Sequence, residues 1–482
     1  MVKAVSSAYI DQENRSLGAK MIYKITYQKS VGTQMMVPSS EIIAAPSISN
    51  SIARDFLSLS GGDVQLVLDN RSRQWDDAYS GAYNRAKYDG DLRVSAGFNL
   101  ADGSNEYVEL FSGKIVNIEM SGVAPRNAVI TARNNIADKI AKTILGKPTA
   151  AGTPNPYIYG KMSRVRMINL LTPDPNTWTF QYAGTIAHPG LAMPSIYTRA
   201  DNQSNFHSVT GASTTFSGGS KTVRLNNAAM PSWVSEVWMG AFSKFSPGTQ
   251  LPYLVRDVLV NHAKIPSTHI NATSLQRVRN LLTPASWGIR AYNEGAAGVI
   301  EHLLHAMYAA GFVEGKKFNL VSMGSPPSSG IHLSESDYNG FSMTYDKSRI
   351  INLAEIPYLT YPVSETKIKR SSNATSQASY GTLSLNAYYQ DFSFTVTDSL
   401  NEFAGLGNQE QRLANTIVRT NAHPKKVFNL TGVYSKGLRI EVGDRVRISN
   451  GFLGISQGSA VVIGKTVDLG QRRTNLQLLS WP

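Results

Sequence analysis

The chain has 482 residues, 42% of them hydrophobic and 9% aromatic, which is too long for one hydrophobic core and rich enough to fill two to four. It has no cysteine, which excludes disulfides, thiolate nucleophiles and Cys-ligated zinc or iron–sulfur centres. The formal charge is +13, with eleven Lys/Arg against five Asp/Glu in residues 401–482; those cations mostly alternate with apolar residues, so a solvated strand face and an anionic partner are both open readings.

No run reaches eighteen apolar residues, and the opening Met-Val-Lys-Ala-Val-Ser-Ser lacks the apolar region of a secretory signal. The expectation is a soluble chain made in the cytoplasm, with no membrane insertion.

In chain order, residues 21–27 carry a first strand pattern. Residues 64–70 carry a clearer one, with Leu66 and Leu68 on one face, Gln65 and Val67 on the other, and the turn pair Asp69-Asn70 at the end. Residues 90–98 predict another strand, 101–105 a hairpin loop, and 106–111 the returning strand. Ser112-Gly113 reads as a break before 114–120, and 128–132 as the last strand before a short helix near 136–145. Three prolines in 147–160 read as a linker or surface loop. The stretch 151–248 is rich in Ser, Thr, Asn and Gly with spaced aromatics, among them Trp178, Phe180 and Tyr182, and predicts an inserted β-rich domain.

Leu254, Val255, Val258 and Leu259 share one stripe and predict a helix over 253–262. Val299, Leu303, Leu304 and Met307 predict a second over 298–308, and 318–323 returns to strand. Residues 366–400 alternate again, through Leu383, Leu385, Phe392, Phe394 and Val396, and 408–420 predict one more helix. In the last forty-five residues Leu438, Ile440 and Val442 alternate with Arg439 and Glu441, Gly443-Asp444 intervenes, and Val446 and Ile448 resume between Arg445 and Arg447. That grammar predicts strand, tight turn, strand, with further strands at 460–463 and 474–479. The expected fold is mainly β with an α+β middle. Two small β-barrel-like modules, at 1–150 and 366–482, bracket an inserted β-rich domain at 151–248 and a mixed α/β domain at 249–365.

Few residues point to chemistry. His302 and His305 stand at i and i+3, a spacing at which two imidazoles share a cation with a third ligand, but the i, i+4 pattern of zinc proteases is absent. Asp69-Asn70 and Asp76-Asp77 lack the alternating oxygens of a calcium loop and read as turns or caps. The glycines from 437 to 464 are spaced for turns and not for a phosphate loop. Neither cofactor nor catalysis is expected. Lys367, Lys369 and Arg370 precede a polar stretch at 371–377, which reads either as an arm that wraps a partner or contacts phosphate, or as a solvated loop; Lys425 and Lys426 read likewise. Arg472 and Arg473 are candidate partner contacts, and Trp178 a candidate glycan contact.

The run Asp63-Val-Gln-Leu-Val-Leu-Asp-Asn70, residues 90–98 and Glu109-Leu-Phe-Ser-Gly-Lys-Ile115 together resemble the opening barrel of tail hub proteins of tailed bacteriophages. Tyr159-Gly-Lys-Met-Ser-Arg-Val165 is similar to the segment that follows it, and the helices around Ile265-Pro266 resemble the middle domain. Residues 412–420, His423-Pro-Lys425, 438–448, 461–465 and 476–479 follow the order of the closing barrel, while 166–250 match nothing.

The resemblance implies a homotrimer, in which two similar barrels per subunit form a pseudo-sixfold ring on the tail tube and offer threefold symmetry to the tip or fibre. It implies as partners a distal tail or tube protein, the tape-measure protein and a tail fibre or tip protein, with transient passage of DNA. The ring would close the lumen until ejection, at the distal end of the virion tail, after synthesis in the host cytoplasm. A reading from another class is a carbohydrate-binding adhesin or depolymerase that uses the 166–250 insert, with Trp178 stacked on a sugar ring. A third is a nucleic-acid-binding module, with steep salt dependence.

Overall fold

The computed structural model describes residues 3, 5–14, 21–30, 33–52, 59–60, 62–73, 75, 90–120, 126–145, 251–281, 288–291, 294–360, 366–384, 395–396, 409–433 and 435–481, and between 157 and 242 the backbones of the strands alone. The architecture is mainly β and includes a curled half-barrel sheet.

The opening sheet has seven strands, all antiparallel, in the spatial order Thr33–Met36, Ile22–Ser30, Asp91–Asn99, Asn105–Met120, Asn127–Asn134, Asp63–Asp69, Ile42–Ala44. Alternation sets its inner face: Leu66, Leu68, Leu92, Val94, Ala96, Ile130 and Ala132 are buried while their strand neighbours face outward. Each fully buried Leu or Val contributes about 1.5–3 kcal/mol relative to exposure. The expected break at Ser112-Gly113 does not occur, and the strand Asn105–Met120 runs through it. Gly113 is there because a Cβ would lie 2.3 Å from the Arg133 carbonyl and 2.5 Å from the Phe111 ring, so the residue marks a close approach and not a turn.

The closing sheet is ordered Ser328–Leu333, Arg445–Asn450, Ile455–Asp468, Arg473–Ser480, Lys425–Val433, Gly340–Asp346, with Ser47–Ser51 paired to the far half of Ile455–Asp468. The opening module thus lends a strand to the closing one. Residues 328–346, grouped with the mixed unit in the sequence reading, pair into this sheet.

The first half of the expected terminal hairpin is not a strand. Residues Ser435–Leu438 form a 3-10 turn, and 439–444 pair with no strand as a ladder. Leu438, Ile440 and Val442 are nonetheless almost wholly buried, because each enters a different core: Leu438 that of the opening sheet, Ile440 that of the closing sheet, and Val442 that of the middle unit. The alternation is real; its cause is a crossing point between three cores. Gly443, at φ +85, then turns the chain, its N–H donating to the Val462 carbonyl at 2.7 Å.

In the middle unit the helix Leu251–Asp257 runs into a π turn at Val258–His262, and Ala272–Leu281 and Ala296–Met307 pack with it on the strands Ala309–Glu314 and Lys317–Ser322. The helix Gln409–Asn421 lies on the strands Leu353–Thr360 and Thr366–Ser372. Residues 371–377, expected as an arm or a solvated loop, finish that last strand and begin the helix Ala374–Tyr380, capped by the Asn373 side chain accepting from the Ser376 N–H at 2.9 Å. Of the alternating residues beyond, Val396 is in a short strand and Leu383 is not; Leu385, Phe392 and Phe394 lie outside the described residues.

Eight strands between 157 and 242, with Gly288–Ala291 as a ninth, form a sheet built around the long strand Tyr157–Asp174. Residues 157–160, expected in a linker, are its start and pair with Gly288–Ala291. Among the described residues no helix is long and apolar enough to cross a membrane.

Candidate assembly sites and the buried ionic junction

The strand Ala309–Glu314 is buried at all six positions, and its last residue brings a carboxylate into the interior. Glu314 Oε1 lies 2.7 Å from Lys3 Nζ and 3.6 Å from Lys465 Nζ, with the Glu314 and Lys465 side chains each 2% exposed. Lys465 also donates to the carbonyls of Leu438 at 3.0 Å and Ile440 at 2.6 Å, and Lys3 to the carbonyl of Glu109 at 3.1 Å. One carboxylate therefore joins the N-terminal segment, the opening sheet, the middle unit and the closing sheet.

Burial alone would raise the Glu314 carboxyl; Lys3 and Lys465 outweigh it and hold it below the ordinary value. Burial pulls Lys465 down, and pushes the neighbouring Glu441 up to about 7 and Asp444 up as well.

A second ion pair closes the same seam. Glu13, in the helix Ser7–Asn14, is fully buried and pairs with Arg439, whose Nε donates to Glu13 Oε2 at 2.7 Å. Arg439 is thus not an exposed strand cation but a fastener between chain ends 426 residues apart. Arg447 is exposed and Arg445 half-buried, as the strand alternation requires.

On the outside, Phe452 is 94% exposed and Leu453 41%, at the tip of the turn between Arg445–Asn450 and Ile455–Asp468. The tip is rigidly held: Glu335 Oε1 accepts from the Gly451 N–H at 2.5 Å, and Asn450 Oδ1 accepts from the Leu453 N–H at 2.9 Å. Asn450 in turn donates to the Tyr338 hydroxyl at 3.1 Å. A bare aromatic on a fixed turn has the form of an interface anchor. The sheets themselves end in the strands Thr33–Met36 and Ile42–Ala44 at one end of the chain, and Ser328–Leu333 and Gly340–Asp346 at the other, with Met36 61% and Ile43 53% exposed.

The residues singled out from the sequence are scattered. His302 faces Glu294, Nδ1 to Oε1 3.1 Å, and no group of three or more metal-binding side chains stands together among the described residues. Arg370 pairs with Glu355 across the strand pair, and Lys369 stands beside it, opposite Ile356. Lys367 is on the same strand and Trp178 on the strand Thr177–Tyr182; both side chains lie outside the described residues. Arg472 and Arg473 are exposed where Ile455–Asp468 turns into Arg473–Ser480, with Arg472 in the left-handed region at φ 54. Asp69 binds Arg71, and Asn70 accepts from the Trp75 N–H at 3.0 Å, which makes the pair a turn; Asp76 and Asp77 lie outside the described residues.

Lys425 is not in a solvated loop. It opens the strand Lys425–Val433, is 6% exposed, and stands with Nζ 5.5 Å from the centre of the Trp481 ring. Sequence reasoning also missed Lys3, Glu314, Lys465 and Phe452. The signal was available for three: Glu314 and Lys465 are charges at the ends of apolar runs, and Phe452 is an aromatic inside Gly451-Phe-Leu-Gly454.

No protein family and no curated protein sequence matches the chain. In structure it is similar to the 43 kDa tail protein of prophage MuSo2 from Shewanella oneidensis, at 8% identity and TM-score 0.46, over 95% of this chain and 98% of that one. It is similar to the tail protein from Neisseria meningitidis MC58, at 8% identity and TM-score 0.44 over 95% and 96% of the two chains. It is also similar to the prophage tail protein gp18 from Listeria monocytogenes EGD-e, at 8% identity and TM-score 0.44 over 95% and 94%.

Proposed function

We propose that this chain is a structural component of a phage tail: a homotrimeric hub that joins the tail tube to the tip or fibre, closes the lumen, holds the end of the tape-measure protein, and opens for the passage of DNA. The observation that supports this most is the pair of seven-stranded sheets, one toward each end of the chain, locked together by the Glu314 junction. Three copies of such a subunit present six sheets, which suits a ring against a sixfold tube, and cyclic closure needs only one repeated contact between unlike surfaces. The open edges and the Phe452 tip are the surfaces such a contact would use.

The mass of the purified chain at micromolar concentration tests this reading. Three copies in a ring with a central hole, seen by light scattering and negative-stain imaging, are expected; a monomer throughout that range sinks it.

Phe452→Ser gives a finer result. Because the side chain touches little within its own subunit, thermal stability should stay within about 0.5 kcal/mol of the parent. Association should weaken by about tenfold or more, as for an aromatic anchor lost from an interface centre. Unchanged association removes Phe452 from the contact.

A further inference from the structure

A cavity of 360 Å³ runs along the helix Gln409–Asn421, closed on its other side by the end of the strand Lys317–Ser322 and the turn at Gly324-Ser325. Its floor is apolar, from Met307 and Leu413, both nearly buried, while Leu281 lines it at 47% exposure. Arg419, near the end of the helix, lines it too and is exposed; no carboxylate does so among the described residues.

The walls are set before anything binds. Tyr308 ends the helix Ala296–Met307 in the left-handed region at φ 47, and its hydroxyl accepts from Asn421 Nδ2 at 2.5 Å, which pins that helix end against Gln409–Asn421. A Cβ on Gly324 would lie 2.6 Å from Thr416 Cγ2, so the turn lies flush on the helix.

This groove and the Phe452 tip stand at opposite ends of one strand pair. Ser328–Leu333 runs parallel to Arg445–Asn450, with Ser328 opposite Arg445 and Leu333 opposite Ile448. The turn at Gly324-Ser325 precedes that pair, where the Arg445 N–H donates to the Pro327 carbonyl at 2.8 Å, and Phe452 follows it. Six residues of strand rise about 20 Å, so a subunit's tip does not reach its own groove.

We infer that the Phe452 tip of one copy of this chain docks in this groove on the next copy, with the Phe452 ring on Met307 and Leu413, Leu453 against Leu281, and Glu335 facing Arg419. Each side supplies what the other lacks. The tip offers a bare ring and an aliphatic side chain, and the groove offers an apolar floor with a thioether, a favourable neighbour for a ring edge. A volume near the lower bound of ordinary ligand sites, about 300 Å³, takes a ring and its neighbour and not a whole helix. Glu335, exposed beside the tip and holding the Gly451 N–H, brings a carboxylate to the one groove wall that carries Arg419, and opposite charges of this kind fix orientation. Tip and groove are both held rigidly within their own subunit, so little ordering opposes the contact. The inference rests on the trimeric reading above: unlike surfaces at opposite ends of a subunit meet head to tail, the arrangement from which a closed ring is made.

The absence of cysteine makes the test direct. Leu453→Cys and Asn415→Cys, at the tip and on the exposed face of the groove helix, are treated in the full chain with a short bis-maleimide and run on denaturing gels. The double variant should give covalent species up to three chains, and each single variant none. Leu281→Ser and Arg419→Glu, both at exposed positions, should each weaken association about tenfold by light scattering, equivalent to about 1.4 kcal/mol. Trimers that form without cross-links, or with unchanged affinity in both groove variants, overturn the inference, leave the trimeric reading standing, and give the groove to another occupant, the chain's own upstream segment or a different tail protein. Cross-links within either single variant overturn it in favour of a symmetric contact. A ladder of cross-linked species beyond three keeps the contact and overturns the trimer, and a monomer that never cross-links overturns both.

Discussion

Glu314→Leu should destabilise the protein by about 3–5 kcal/mol, the cost of leaving a buried charge without its counter-ion. The magnitude follows from what remains: Lys465, 2% exposed, and Lys3, 12% exposed, keep their charges with no carboxylate between them. Lys465 retains its bonds to the carbonyls of Leu438 and Ile440, so the ammonium cannot swing into solvent without opening the crossing point of the three cores. The double variant Glu314→Leu/Lys465→Met should recover much of the loss, because apolar isosteres often replace a buried ion pair at little net cost. Urea unfolding at pH 7 measures both; a single-variant loss under about 1 kcal/mol, or a double variant worse than the single, contradicts this account.

The acid limb carries a second signature of the junction. Glu314 is held below its ordinary value, so its contribution is present above the unfolded value of 4.5 and is lost as pH falls through the folded one. Glu441 runs the other way: raised to about 7, it favours the folded state fully below 4.5 and loses that contribution as pH rises through about 7. Glu441→Gln should therefore flatten the decline in stability between pH 5 and 7.

The legible parts of the fold were those in which local pattern and burial share one cause. Strand alternation located the opening sheet because Leu66, Leu68, Leu92 and Val94 all point into a single core. The same alternation misled at 438–442, where Leu438, Ile440 and Val442 serve three cores and the backbone bonds go to a buried lysine and a distant strand. Gly113 misled for a related reason: a glycine that admits a neighbouring backbone looks like one that breaks a strand. The junction was hidden because its members are 311 and 151 residues apart along the chain, and no local window contains Lys3, Glu314 and Lys465 together. The polar stretch at 371–377 resembled a loop because its helix is held by a cap and by Ser376 donating to the Ala422 carbonyl, and not by an apolar stripe.

Lys425 provides the opposite case to Glu314, a buried charge with no counter-ion among the described residues. Among the described residues no carboxylate lies within ion-pair distance of its ammonium, which has the Trp481 ring 5.5 Å away. Burial pulls its pKa down to about 8 from 10.5. A shift of that size makes the charged folded form costlier by about 3–4 kcal/mol below pH 8, part of which the ring offsets by about 1 kcal/mol. Lys425→Met, which fills the same volume without the charge, should thus raise stability at pH 7 by about 2–3 kcal/mol. The sign with pH follows from the depressed folded value: Lys425 favours the folded state above 10.5, and that contribution is lost as pH falls through about 8. The parent should accordingly gain stability on the variant between pH 8 and 10.5 and close the gap there. Thermal unfolding at pH 7, 9 and 10 reads this directly; a variant less stable than the parent at pH 7, or a gap that does not narrow with pH, shows that the lysine has found a partner and that its charge is part of what holds the closing sheet.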